Sequence, residues 1–136
     1  MMDDVSMEIL LDHYKDPRNF GELDAPDIEH EEGNPSCGDQ IKIEIQLATD
    51  DDTIDDIRFT GKGCAVSQAA ASMLTEELKG ESVERAREMG KREMLELLGI
   101  EINPMRLKCA LLALKITRAG AFGMEEWPNG DDEELA

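Results

Sequence analysis

The chain has 136 residues, 32 of them acidic and 14 basic, for a formal net charge of -18, with 40% hydrophobic and 4% aromatic residues. That length suits one domain around one modest core, and the charge, with no basic patch of interleaved aromatics to offset it, excludes a nucleic-acid surface. No apolar run approaches the roughly 18 residues of a membrane span, and the acidic opening MMDDVSME excludes a secretory signal with a basic n-region.

In chain order, Val5 to Tyr14 carries apolar residues at Ile9, Leu10 and Tyr14 and predicts a short amphipathic helix, ended by Pro17 and Gly21. A weak strand is expected near Ile28 to Glu32. Ile41, Ile43, Ile45 and Leu47 then alternate with Lys42, Glu44 and Gln46, the period of a half-buried strand. An acidic turn at Thr49 to Thr53 leads to a further strand with Ile57 and Phe59 on one face.

Everything after Gly63 reads as helix. Ala65 to Leu78 is alanine-rich and closed by Gly80; Ser82 caps a short helix ending at Gly90; Lys91 to Leu98 is another, stopped by Gly99. Asn103 and Pro104 form an N-cap and first-turn pair for a last helix running to about Ala119, with Leu107, Leu111 and Leu114 on one stripe. Strands first and helices after is an α+β pattern: a small three-stranded antiparallel sheet packed against several helices. Residues 1–122 are expected to form this domain and 123–136 an acidic, disordered tail. The scattered acids elsewhere read as a solvated surface.

Three cysteines make an odd count, which argues for a reducing compartment, the cytoplasm, and against a disulfide framework. None belongs to a CxxC pair. Cys37 lies on a polar glycine turn entering a strand, Cys64 follows 61-GKG-63 and opens a helix, and Cys109 lies in the second turn of the last helix. A short sheet can bring the first two turns to one end, and the last helix can lay Cys109 over it. With Asp39 this would give a four-ligand site for Zn²⁺, Cu(I) or an iron–sulfur cluster, in which an oxygen donor is the more exchangeable one. A helix N-terminus at Cys64 favours its thiolate. On spacing alone Cys109, among leucines, reads equally as a small buried hydrophobe. The GKG before a helix is a weak anion-cradling signal. His13 and His30 are isolated and read as surface or satisfied core histidines.

These residues resemble the iron–sulfur cluster assembly scaffolds of the IscU, SufU and NifU N-terminal family. The stretch 13-HYKDPRNFG-21 is similar to the family's N-terminal segment, and 34-NPSCGD-39, 63-GCAVSQAAASM-73 and 106-RLKCALLAL-114 match its three cysteine blocks in order. The likeness covers roughly residues 6 to 120. It implies that Cys37, Asp39, Cys64 and Cys109 bind a cluster or metal. IscU-like members carry histidine before the third cysteine; here Lys108 stands there, with Arg106 two before it, a pattern that looks like SufU. The chain's length looks like IscU, without the SufU insertion.

The resemblance implies a scaffold that receives sulfur from a cysteine desulfurase, assembles a labile 2Fe-2S cluster and transfers it to acceptor apoproteins, with no nucleic-acid or membrane partner. The alternative is a zinc-dependent sulfurtransferase holding Zn²⁺ on the same four residues; a structural zinc module is the third reading. A homodimer in the cluster-bound state stays open. Candidate sulfur acceptors are Cys37, favoured by its exposed turn, and Cys109, whose thiolate would be supported by Arg106 and Lys108.

Overall fold

The structure is a computed structural model describing residues 4–34, 38–100 and 102–122. Cys37 and the segment expected to form a tail lie outside the described residues. The elements run α1 (Asp4–Lys15), β1 (Ile28–Asn34), β2 (Asp39–Leu47), β3 (Ile54–Lys62), α2 (Ala65–Leu78), α3 (Val83–Glu88), α4 (Lys91–Leu98) and α5 (Pro104–Phe122). The three strands form one antiparallel sheet in the order β1-β2-β3, the α+β architecture expected from the sequence.

β2 is the central strand, and its alternation puts three isoleucines on one face. Ile41, Ile43 and Ile45 are all buried. They stand opposite Gly61, Phe59 and Ile57 of β3 in register. Each isoleucine fully removed from water contributes about 1.5–3 kcal/mol. α5 packs on β2 and β1, and α2 packs on β3, α1 and α5. The alanines of α2 at 69–71 are all fully buried, so the helix backbone sits close to its neighbours. α5 presents Leu111 and Leu114, both buried, with Leu107 at the edge of the core.

Local signals bound the helices near where expected, although α3 stops at Glu88, short of Gly90, and α5 runs on past Ala119 to Phe122. The Ser82 hydroxyl accepts from Arg85 N–H at 3.1 Å, and Asn103 Oδ1 accepts from Arg106 N–H at 3.0 Å. Gly99 closes α4 in the left-handed region with φ +73°.

Two faces differ from expectation. Among the described side chains of α1, Leu10 and His13 are buried, while Ile9 and Tyr14 are exposed; the helix packs against α2. On the outer face of β2, Glu44 is buried. The segment after α1 folds over it: Leu23 N–H donates to Glu44 Oε1 at 3.0 Å, and Asp27 N–H bonds Ile45 C=O at 2.8 Å.

Candidate metal and cluster site

At one end of the apolar face the period of β2 continues one step further, to Asp39. Its carboxylate points inward like the isoleucines and is only 3% exposed. Cys64 arrives from the other side, immediately after β3, as the N-cap residue of α2 with extended backbone angles and no side-chain cap bond. α5 packs over β1 and β2 and places Cys109, fully buried, above this corner. One ligand atom from each of Asp39, Cys64 and Cys109 lies within 4.8 Å of the others.

Asp39 is held by more than packing. Its Oδ1 accepts a hydrogen bond from the backbone N–H of Cys64 at 2.8 Å. Its Oδ2 lies 3.9 Å from the Cys64 sulfur. Ser67, also buried, bonds through its hydroxyl to Cys64 C=O at 3.1 Å. At the helix start that follows 61-GKG-63, the Cys64 N–H is thus taken by a carboxylate of the chain itself. Gly61 serves the sheet instead, since a Cβ there would lie 2.1 Å from Gln40 C=O on β2.

Cys64 is a free thiol, whereas Cys109 is disulfide-bonded. The odd cysteine count thus does not exclude a disulfide, and a donor role for Cys109 requires its reduced form. Two soft sulfurs and one carboxylate suit zinc or iron. Donors around a tetrahedral zinc stand roughly 3.5 Å apart, given bond lengths of about 2.0–2.3 Å, so small side-chain shifts close the observed spacing.

The remaining candidates stand apart. Arg106 and Lys108 are exposed on α5, and no hydrogen bond or ion pair joins their side chains to the three donors among the described residues. His13 is buried with Nδ1 2.7 Å from Ser72 Oγ and Nε2 3.6 Å from Glu76. Burial, helped by the nearby Arg18 charge, lowers its pKa against the opposing pull of Glu76 and Asp12. His30 Nε2 lies 2.7 Å from Glu32. Both histidines have local partners, as their isolation in the sequence suggested.

A profile described as NifU-like N terminal domain matches residues 6–128. The zinc-dependent sulfurtransferase SufU of Bacillus subtilis is 35% identical over 88% of this chain and 90% of its own length. The iron–sulfur cluster assembly scaffold protein IscU of Escherichia coli is 36% identical over 78% of this chain and 83% of its own. A solved structure of a putative iron–sulfur cluster assembly scaffold protein for the SUF system, from Fervidobacterium islandicum, superposes with a TM-score of 0.69 at 25% identity, over 84% of this chain and 94% of that one.

Proposed function

On the premise that this chain belongs to the family of NifU-like N-terminal domains, we propose that it is an iron–sulfur cluster assembly scaffold, with Cys37, Asp39, Cys64 and Cys109 as the binding set. The observation that carries this reading is the meeting of Asp39, Cys64 and Cys109 at one corner. The cluster is cargo here. Thiolates supply the iron ligation, and the carboxylate supplies a donor that iron exchanges more easily than sulfur.

Sulfur would come from a cysteine desulfurase carrying a persulfide. A thiolate of this chain attacks the outer sulfur, the S–S bond breaks, and the desulfurase cysteine leaves as thiolate. In the reduced chain we assign that attack to Cys37 rather than to Cys109, whose side chain is fully buried. Single Cys→Ser variants incubated with desulfurase and free cysteine, read by intact mass, check the assignment; added sulfur on Cys37→Ser but not on Cys109→Ser moves it to Cys109. Arg106 and Lys108 would then support the Cys109 thiolate. We place this chemistry in the reducing cytoplasm; among the described residues no helix is long and apolar enough to cross a membrane.

Transfer tests the proposal. The loaded chain mixed with a 2Fe-2S acceptor apoprotein should raise the acceptor's cluster signal as its own falls, and a loaded chain that never hands over is not a scaffold. Native mass of the loaded chain reports whether a homodimer forms.

The likeness to a zinc-dependent sulfurtransferase over most of the chain, with the 106-RLKC-109 pattern, favours a second reading. Zinc would be held by the same four residues, hold a cysteine as thiolate and so prepare it to accept sulfur. That reading requires about one tightly held Zn²⁺ per chain as purified and a faster desulfurase turnover when the chain is added.

A further inference from the structure

Gly63 is the point where the carboxylate, the thiol and the helix start meet. A Cβ on this residue would lie 2.1 Å from Asp39 Oδ1, 2.8 Å from Asp39 Cγ and 2.8 Å from Ser67 Oγ. Both neighbours are held in place. Asp39 and Ser67 are both buried, and both are tied to the Cys64 backbone, one to its N–H and the other to its C=O. The backbone at Gly63 has φ +151°, which disfavours any L side chain.

The two carboxylate oxygens are thereby made unequal. Oδ1 is spent on the Cys64 N–H, and Oδ2 is turned to the side where the Cys64 sulfur lies. We infer that Gly63 is a positioning residue of the site: the space it leaves empty seats Asp39 so that one oxygen is anchored to the backbone and the other is the single oxygen donor to bound zinc or iron. The inference rests on the site reading above and deepens it. An Asp39 held this way opens its bond to the metal without leaving the site, because the Cys64 N–H keeps the side chain in place.

The test is a Co²⁺ titration of the reduced chain under anaerobic conditions, followed by the visible d–d bands, for wild type, Gly63→Ala, Asp39→Ala and the double variant. Gly63→Ala is expected to weaken Co²⁺ binding by about tenfold or more, the usual cost of losing a group that orients a ligand, and to shift the bands toward those of Asp39→Ala. In the Asp39→Ala background the same glycine change should add little, within about twofold, because the two act as one unit. Wild-type affinity and bands in Gly63→Ala overturn the inference, as do penalties that multiply in the double variant. Should Gly63→Ala fail to fold, a crystal structure of the zinc-loaded wild type decides: Oδ1 on Cys64 N–H with Oδ2 nearest the ion upholds the inference, and both oxygens on the ion overturn it. A wild-type chain that binds neither Co²⁺ nor zinc overturns the site reading itself.

Discussion

Asp39 and Ile41 are two residues apart on the same face of β2, and both are buried, yet they do opposite work. Ile41 meets Gly61 across the strand pair and joins a core of isoleucines, alanines and leucines; burial there stabilises the fold directly. Asp39 loses its water to a corner containing two sulfurs and one backbone donor. A buried carboxylate costs free energy unless hydrogen bonds or a cation offset it. The same strand period therefore builds the fold at one end and, at the other, a buried polar corner.

The largest effect should come from the apolar side of that contrast. Ile43→Ala, at a position only 2% exposed, is expected to lower the unfolding free energy by about 2–5 kcal/mol, measured by urea denaturation, while the folded fraction keeps its metal affinity. If it lost metal binding as well, core and site would not be separable.

The next largest lies on the polar side. Zinc or Co²⁺ at a hundred times its Kd should stabilise the reduced wild type by about 2.7 kcal/mol, and Cys64→Ser should gain distinctly less. Equal gains in the two proteins would place the ion elsewhere.

Asp39→Ala sharpens the comparison further. The metal-free variant loses a hydrogen bond but also a desolvated charge, so its stability should stay within about 1 kcal/mol of wild type. On the proposed reading, in which exchange begins at the oxygen donor, its handover of a bound cluster should be slower. A variant that holds neither cluster nor zinc would make Asp39 a necessary ligand rather than an exit point.

The smallest effect is a pH dependence away from the site. Burial holds the His13 pKa below its ordinary 6.5, so the unfolded chain takes up the proton first. Its contribution to stability is present above about pH 6.5 and is lost as pH falls toward the lowered folded value, with a slope of at most about 1.4 kcal/mol per pH unit for one proton. His13→Gln should flatten urea midpoints below pH 6.5; an unchanged profile would assign the dependence to other groups.

The alternation of Ile41, Ile43 and Ile45 with Lys42, Glu44 and Gln46 made β2 legible, and Gly80 and Gly99 marked the ends of α2 and α4. Those signals are local. Asp39 was legible as a chemical donor, but its burial was not, although it stands in phase with Ile41, because a polar residue breaks the hydrophobic pattern that reveals a strand. The Gly63 contact with Asp39 joins positions 24 apart and leaves no local trace. Glu44 looked like an outward-facing acid because its cover, at Leu23, comes from a distant segment. In α1 the amphipathic pattern gave the helix but not its buried line, which a histidine shares with Leu10.

Anaerobic reconstitution with iron, free cysteine and a cysteine desulfurase bears most directly on the claim that this corner assembles clusters. The account predicts sulfur-to-iron charge-transfer absorption in the visible region for the wild type and its loss in Cys64→Ser. A wild-type chain that shows no such absorption and instead retains stoichiometric zinc would contradict it.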